Sequence, residues 1–416
     1  MNILDNLTFD MISGMIAILI LTIVCIVNRD KLEIQPMLGY LLYIIMYPTR
    51  RGIKLMDKIA TRWREWVKLY GYISIGLGFM FMVLFTAMII LVVIKWVVQP
   101  VPDEPGFALV IPFTNIPGVG YLSFWYFFIS IFILAIIHEG AHGTVARAHG
   151  LEIKRTGFAF FGLVLPIFPA AFVEPDEKKL QKKDDTVQYS IFAAGPMINI
   201  LLAIILLILM PYVGQGVLYP GSGPNAPFED SFSEPIGFSY NLVQNESLPA
   251  SQAGMPNHSI ITSINNKSVK TYNDFATEIM YVRAGENVTI GTKNGSFTLE
   301  TIEHPRFENR GYIGINQDTN EKRKISELAQ WKFQTYYWFK GLFKWLFTLN
   351  LFVGLANLLP MGPVDGGRMF GLALKRLMKN QKRAEKIWFY IGILFLLIII
   401  FGLIVNYLGN PFLLFK

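Results

Sequence analysis

Cysteine and charge are both scarce in this sequence of 416 residues. The single cysteine, Cys25, lies inside an apolar run, which excludes an intrachain disulfide framework and a cysteine-based metal site. Charged residues make up 16% of the chain and hydrophobic residues 53%, with a mean hydropathy of +0.41. This balance excludes an ordinary soluble domain and favours several membrane spans. The first apolar stretch has no basic segment before it and no small-residue cleavage site after it, so we interpret it as a retained span.

The net charge of +7 is compatible with either nucleic acid or anionic lipid as a partner. The positions of the basic residues decide between the two, because they cluster in short loops between apolar runs, as the positive-inside rule describes. We therefore predict that the chain contacts a lipid bilayer and binds no nucleic acid.

Six apolar runs are long enough to cross the hydrocarbon core of a bilayer, which takes roughly 20 helical residues. They lie near Met11–Val27, Tyr70–Val97, Tyr121–Arg147, Tyr189–Val213, Tyr336–Pro360 and Ile387–Leu408.

The loops between these runs alternate in charge. Arg29–Lys68, Lys154–Asp185 and Arg368–Lys386 are rich in Lys and Arg, whereas Gln99–Gly120 contains no basic residue. Because basic loops face the cytoplasm, both termini and the polar region between the fourth and fifth spans are predicted to lie outside. Segments assigned to the outside also carry the Asn-x-Ser/Thr sequons, at Asn6, Asn245, Asn257, Asn266, Asn287 and Asn294.

Two apolar stretches are too short or too broken to span a membrane. Pro36–Tyr47 is flanked by charge, and we predict that it lies at the membrane surface as an amphipathic segment. Phe158–Val173 contains Pro166 and Pro169, which would break a helix. Since unpaired backbone cannot face lipid, this stretch is predicted to form a re-entrant hairpin.

The region from Gly214 to Gln334 is polar and has the patterns of strands and turns. Ser259–Ile264 reads as a strand, and Asn273–Arg283 as a short helix with one apolar face. Two further strand-like runs, Asn287–Ile290 and Ser296–Leu299, flank the dipeptide Asn294-Gly295, which is a hairpin signal.

The third span ends in the sequence HEGAH, residues 138–142. On a helix His138 and His142 share one face and can bind one zinc ion, while Glu139 beside them can take a proton from water on the metal. Ionisable groups in a span are costly and usually functional. The alternative is that these groups merely occupy the wet end of a span. His149 is interpreted as an ordinary histidine at the membrane surface.

Two histidines leave a catalytic zinc one protein ligand short. The segment NLLPMGPVDGG, which runs from Asn357 to Gly367, offers Asp365 as the third. In the predicted topology the third and fifth spans both run from outside to inside, so Asp365 would reach the depth of the two histidines near the cytoplasmic leaflet. The alternative is a loop in which Asp365 caps the next helix.

Together, HEGAH on a span, NLLPMGPVDGG, Phe158–Glu177 and the Ala194-Gly195-Pro196 opening of the next span resemble the site-2 protease family of intramembrane metalloproteases. The resemblance covers about Tyr121 to Gly371. It implies that His138, His142 and Asp365 bind one Zn²⁺ per chain and that Glu139 is the catalytic base.

The same resemblance implies how substrate is held. In the family the re-entrant strand can pair with an extended peptide, which makes Ala171, Phe172 and Val173 candidate substrate contacts. Asn199 and Asn357 match polar positions of the family motifs and are further candidates, although a contact within or between helices would equally explain Asn199.

The outer segment Ser247–Met255, with the strand and helix that follow it, resembles a PDZ domain over about residues 237–317. Site-2 proteases commonly carry such a domain between the corresponding spans. The alternative is a generic β-rich ectodomain.

The predicted fold is an α-helical polytopic membrane protein of about six spans, with a re-entrant hairpin and an inserted β-rich PDZ-like ectodomain. Its parts are an N-terminal membrane segment (1–120), a first protease half (121–213), an extracytoplasmic region (214–335) and a second protease half with the final span (336–416). The predicted location is the cell membrane, with the active site near the cytoplasmic face and the PDZ-like domain outside.

The predicted activity is zinc-dependent hydrolysis of peptide bonds in or near transmembrane segments of proteins already trimmed by another protease. Two other functions are weighed against it. A zinc or proton transporter would spread polar residues through the depth of several spans, whereas here they concentrate at one level. A catalytically inactive scaffold would be expected to have lost Glu139 or a zinc ligand, and all four residues are present.

Overall fold

The computed structural model describes residues 3–38, 42–100, 106–116, 119–163, 165–210, 229–243, 247–305 and 307–415. The chain divides into two compact units, one formed by Met1–Leu206 with Leu342–Lys416 and the other by Leu207–Gly341. The first unit contains the HEGAH and NLLPMGPVDGG motifs, and the second contains the predicted PDZ-like region.

The described helices, in chain order, are α1 (Ile3–Val27), α2 (Arg51–Arg62), α3 (Arg64–Val98), α4 (Phe124–Ala148), α5 (Glu177–Leu180), α6 (Asp185–Leu209), α7 (Pro249–Gln252), α8 (Tyr272–Ile279), α9 (Gln330–Asn357), α10 (Asp365–Leu377) and α11 (Gln381–Leu408). The described strands are β1 (Glu33–Leu38), β2 (Leu42–Thr49), β3 (Thr114–Ile116), β4 (Gly120–Leu122), β5 (Ile153–Leu163), β6 (Leu165–Pro175), β7 (Ser233–Leu242), β8 (Ile260–Ile264), β9 (Lys267–Ser268), β10 (Asn287–Thr292), β11 (Gly295–Glu300), β12 (Ile302–His304), β13 (Phe307–Tyr312) and β14 (Ile315–Lys324).

Among the described residues, six helices are long and apolar enough to cross a membrane: Phe9–Val27, Arg64–Val98, Phe124–Ala148, Asp185–Leu209, Glu327–Asn357 and Gln381–Leu408. Each matches one of the six apolar runs of the sequence, with ends that differ by several residues. The chain is thus a multi-pass membrane protein by helix length and composition. The predicted fourth run extends to Val213, and residues 211–213 lie outside the described part.

The stretch Phe158–Val173 forms a hairpin, as predicted: β5 and β6 pair antiparallel from Ile153 and Pro175 towards the turn. The described residues of Pro36–Tyr47 are strands of a sheet, a structure that the prediction of an amphipathic surface segment did not include. They belong to β1 and β2, and β2 pairs with β5 along its length, from Leu42 opposite Leu163 to Thr49 opposite Thr156. The result is a four-stranded sheet in the order β1-β2-β5-β6.

The sheet provides hydrogen-bond partners for the backbone of the apolar strand β5. Backbone groups that cannot reach water need partners within the protein, and β2 supplies them for one side of β5 while β6 supplies them for the other. In the described sheet β6 has a neighbour on one side only, so it is an edge strand.

The core of the first unit lies where α3, α4, α6 and the turn before α10 meet. Small residues let these helices approach closely, as membrane helices require. A side chain on Gly354 of α9 would press on Ile200 of α6 at 2.9 Å. The buried apolar members of the core include Met82, Val145, Ile191, Ala194, Met197, Ile200, Leu358 and Met369.

The second unit has a main sheet with the strand order β11-β10-β8-β7-β14, to which β9 adds beside β8. The predicted hairpin is present as β10 and β11, whose strands continue further towards the turn than predicted, so that Thr292 pairs with Gly295. The predicted helix is present as α8, but it ends at Ile279, four residues before the predicted end at Arg283. Thr271 and Asp274 form a capping box at its start. Its Phe275 is buried among the strands.

Candidate metal centre

The helix α4 carries the two histidines of the HEGAH motif. It begins after Ser123, where the buried carboxylate of Asp10 accepts the Phe124 backbone N–H at 3.0 Å and the Ser123 hydroxyl at 2.8 Å. A carboxylate at a helix N-terminus stabilises the first turn. Because His138 and His142 are four residues apart, both imidazoles lie on one face, and their Nε2 atoms are 3.1 Å apart.

A tight turn after α9 positions Asp365 beside the two histidine Nε2 atoms. The turn needs glycine, because a side chain on Gly366 would overlap the Leu358 carbonyl group and one on Gly367 would overlap the Met361 carbonyl oxygen. Asp365 is the first residue of α10, while the N-cap position belongs to Val364. The alternative capping role therefore does not describe this aspartate. Its Oδ2 lies 3.1 Å from His138 Nε2 and 3.3 Å from His142 Nε2.

The three ligand atoms fit a zinc ion by distance. Tetrahedral ligands about 2.0–2.1 Å from zinc are separated by ~3.3 Å, which matches the observed 3.1 to 3.3 Å. Two imidazole nitrogens with one carboxylate oxygen are also a ligand set that suits zinc.

The hydrogen bonds of the two imidazole Nδ1 atoms also fit a metal site. His142 Nδ1 lies 2.6 Å from the Ile191 carbonyl oxygen, which can only accept, so Nδ1 carries the proton and the Nε2 of a neutral ring presents its lone pair. His138 Nδ1 lies 3.0 Å from the amide of Asn199. Asn199 Oδ1 has no hydrogen-bond partner in the described chain, and a half-turn of the amide would let it accept the proton of Nδ1. The Nε2 lone pairs of both histidines then point towards the Asp365 carboxylate, an arrangement that a bound cation stabilises.

The site is not sealed. The side chains of His138, His142 and Asp365 are 9%, 13% and 14% exposed. A catalytic zinc keeps one position for water or substrate besides its three protein ligands. The remaining exposure leaves room for that fourth position.

Glu139 stands beside the ligands without being one of the three converging groups. Its Oε2 accepts the backbone N–H of Val173 at 3.1 Å, which ties the carboxylate to the strand β6. A carboxylate in this position can exchange a proton with a reacting group next to the metal.

The contact with Glu139 also shows how β6 is oriented. The N–H of Val173 points away from β5, and residues two apart along a strand point the same way. Ala171 therefore directs its backbone groups to the free edge, while those of Phe172 face Gly157 in β5. The side chain of Val173 faces α4, where a Cβ on Gly143 would lie 2.9 Å from it.

The two asparagines predicted from the motifs occupy different places. Asn199 is completely buried behind His138, a position that favours orienting the ligand over contacting substrate. Asn357 ends α9 and is half-buried, and its side chain forms no hydrogen bond within the described part of the chain. His149, seven residues after His142, packs against Tyr72 with ring centroids 5.7 Å apart.

Gly195 lies against both imidazoles, a contact that its place in a sequence motif does not reveal. A Cβ on Gly195 would lie 2.7 Å from His138 Nε2 and still closer to His142 Nε2. The Ala194-Gly195-Pro196 motif is the one sequence signal for this contact. The motif does not identify the partner residues, because the contact forms only when α6 packs against α4.

We expect Gly195→Ala to lower bound zinc sharply, because the added methyl group must displace both imidazoles in a closely packed core. Gly140→Ala is the matched control, since a Cβ at Gly140 meets nothing within 4 Å although it lies between the two histidines. Elemental analysis of the two purified variants measures the difference. Equal zinc in both would contradict the packing described here.

Comparison with known proteins agrees with this geometry. The model of the family described as Peptidase family M50 matches residues 126–399, which include both motifs. An uncharacterised protein of Methanocaldococcus jannaschii is 24% identical over 383 residues, covering 85% of this chain and 89% of the relative. A Clostridium acetobutylicum protein named as a candidate zinc metalloprotease is 22% identical over 336 residues, covering 66% of this chain and 93% of the relative.

One of several solved structures that match covers part of the chain. It is the PDZ domain of an SdrC-like protein from Listeria monocytogenes, which is 22% identical and covers 20% of this chain and 87% of its own, with a TM-score of 0.18. At that score the likeness carries no weight for the fold of the second unit.

The family match spans well over half of the sequence and includes the HEGAH helix, the β5–β6 hairpin and the turn that carries Asp365. Family membership implies a metalloprotease that uses zinc and acts on membrane proteins. On this basis the chain belongs to peptidase family M50.

Proposed function

We propose that this protein is an intramembrane zinc metalloprotease of the site-2 protease type, which hydrolyses peptide bonds in or near transmembrane segments. One zinc ion per chain is held by His138, His142 and Asp365, and Glu139 is the general base. The observation that carries the proposal is that three candidate ligand atoms lie within 3.3 Å of one another, two of them on a helix apolar enough to span a membrane.

The chemistry divides between the metal and the carboxylate. Bound zinc would polarise the scissile carbonyl group and lower the pKa of water. Glu139 takes a proton from the attacking water as its oxygen bonds to the carbonyl carbon, and returns the proton to the amide nitrogen as the carbon–nitrogen bond breaks. The hydrogen bond from Val173 holds the Glu139 carboxylate in place for both transfers.

The edge of β6 is the proposed substrate-binding surface. A transmembrane helix must unwind before its backbone can be cut, and an edge strand supplies hydrogen-bond partners to the extended peptide. Ala171 offers its backbone groups along this edge, and Val173 is already bonded to Glu139. A peptide paired at Ala171 would thus lie next to the general base. Asn357 is a further candidate contact.

The active site is proposed to lie near the cytoplasmic leaflet of the cell membrane. Arg64, at the start of α3, donates through Nε to the Ala148 carbonyl oxygen at the end of α4, 3.1 Å away. Arg64 and Arg147, which is in the last turn of α4, thus lie at the same end of the bundle, and basic residues favour the cytoplasmic side. We propose that the second unit, which follows α6 and precedes α9 along the chain, lies outside the cell, as the alternating charge of the loops predicts.

The second unit is proposed to act as a size filter or docking site with a PDZ-like core over residues 237–317. Its entry strand β7 and exit strand β14 pair with each other, with Gly237 opposite Glu321. Substrates with bulky outer domains would be turned away until another protease had trimmed them.

Removing residues 238–320 and joining Gly237 to Glu321 through an Asn-Gly turn should relax this selection. Cross-strand neighbours are close enough for a two-residue turn, so the first unit should fold and keep its zinc. Cleavage of trimmed and untrimmed substrates in liposomes measures the effect. Unchanged discrimination by a zinc-loaded, active deletion variant would rule the filter out.

The proposed activity is tested by reconstituting the purified protein with a single-span peptide in liposomes. Mass spectrometry of the products should place the cut within or beside the span. Intact peptide after incubation with zinc-loaded protein, or cuts confined to its soluble ends, would overturn the proposal. Uptake of zinc into the same liposomes without cleavage would favour the transporter instead.

A further inference from the structure

The amphipathic helix α2 follows β2 and precedes α3 along the chain, and it contributes no ligand or base to the candidate site. One of its faces packs inward: Met56 and Ala60 are 5% and 4% exposed. Asp57 on the same side forms an ion pair with Arg147 of α4. This face fixes α2 to the protein.

The opposite face combines basic and apolar side chains. Lys54, Lys58 and Arg62 are exposed, and neither lysine forms an ion pair within the described chain. Because successive residues are about 100° apart on a helix, the apolar Leu55 and Ile59 lie along one flank of this basic stripe. Leu55 is 61% exposed, far more than a leucine in a protein core.

Two tryptophans extend the apolar flank into the next helix. Trp63, which joins α2 to α3, is 52% exposed, and Trp66 is 67% exposed. The guanidinium group of Arg62 lies 5.7 Å from the centre of the Trp63 ring. Tryptophan is enriched where membrane and water meet, because its ring is apolar and its N–H is polar.

The position of α2 along the bundle matches that boundary. It precedes the first residue of the α3 span, and Arg64 reaches the last turn of α4, so α2 lies at the ends of two spans. We propose that α2, with Trp63 and Trp66, is an interfacial helix that binds the headgroups of anionic phospholipids. Leu55 and Ile59 enter the acyl boundary, while Lys54, Lys58 and Arg62 contact lipid phosphates.

The inner face of α2 reaches the wall of the candidate site. Met56 and Val173 both approach Gly143, the residue after His142, and the Val173 N–H bonds to Glu139. A docked α2 therefore holds β6 against α4. If the proposed function holds, anionic lipid that binds α2 should steady β6 beside Glu139. Peptide cleavage should then be faster in membranes that contain anionic lipid.

The docking is tested without any proteolysis. A nitroxide is attached to Leu55→Cys in a Cys25→Ser background, and its accessibility to oxygen and to a water-soluble nickel chelate reports its depth. The protein is reconstituted in phosphatidylcholine vesicles and in vesicles where part of the lipid is phosphatidylglycerol. The test variant carries Lys54→Gln, Lys58→Gln and Arg62→Gln. A control variant carries equal charge changes at three exposed residues at the start of α11, namely Lys379 just before the helix and Lys382 and Arg383 in its first turn.

Phosphatidylglycerol should move the label into the acyl region in the parent and control proteins and leave it in water in the test variant. In vesicles with phosphatidylglycerol, the ratio of label in the acyl region to label in water should be about a hundredfold lower in the test variant than in the parent protein. Each basic side chain near an anionic surface contributes roughly a factor of five to this ratio. High salt should weaken the response. Equal depth in both vesicle types, or a response that the test variant retains, would overturn the docking. Cleavage that ignores lipid charge while the label responds would overturn only the link to the site.

Discussion

Glu139→Gln is expected to reduce peptide cleavage by about 10²- to 10⁴-fold, the usual contribution of a general base, while bound zinc stays unchanged. Glutamine keeps the shape of the side chain, and its amide oxygen can still accept the Val173 N–H that Glu139 accepts at 3.1 Å. The strand β6 should therefore stay in place. Only the ability to take a proton is removed.

Zinc content and cleavage rate are measured on the same purified sample. Glu152→Gln is the matched control, because Glu152 is an exposed carboxylate paired with Lys179 and lies outside the site. It should cleave like the parent protein. Undiminished cleavage by Glu139→Gln would remove this residue from the mechanism, and loss of zinc would show that it acts as a ligand.

Replacing His138, His142 or Asp365 with alanine should each weaken zinc binding by more than ~100-fold and abolish cleavage. Even residues that only orient a ligand contribute 10- to 100-fold to metal affinity, and these three supply the ligand atoms themselves. Removing one leaves two protein ligands, fewer than catalytic zinc sites use.

His149→Ala provides the control for these replacements. His149 lies seven residues beyond His142, about two helical turns, and packs against Tyr72, so its loss should leave zinc in place. Circular dichroism separates loss of metal from loss of fold. If folded Asp365→Ala binds zinc as tightly as the parent protein, the third ligand lies elsewhere.

The helices and the metal motif could be predicted because their signals are local. Long apolar runs specify spans by length alone, and the spacing of His138 and His142 on one helix fixes their common face. The turn that carries Asp365 also has a local signature, in its prolines and glycines. The equal depth of two spans predicts that Asp365 lies near the histidines, and in the structure its Oδ2 is within 3.3 Å of both Nε2 atoms.

The features that could not be predicted depend on contacts between distant parts of the chain. Pro36–Tyr47 has apolar residues that suit either a surface segment or a strand, and only its pairing with β5, more than a hundred residues later, decides. Gly195 presents no side chain, so its closeness to the ligands emerges only when α6 packs on α4. The bond between Glu139 and Val173 requires the sheet and the helix together.

We propose that one zinc ion held by His138, His142 and Asp365 drives peptide hydrolysis. The most direct test titrates zinc into metal-free protein in liposomes and follows cleavage of a single-span peptide against bound zinc. The claim predicts a rate that rises in proportion to bound zinc and levels off at one zinc per chain, with Glu139→Gln binding the same zinc and remaining inactive. Cleavage at full rate before zinc is added, or a bound zinc that leaves the peptide intact, would contradict it.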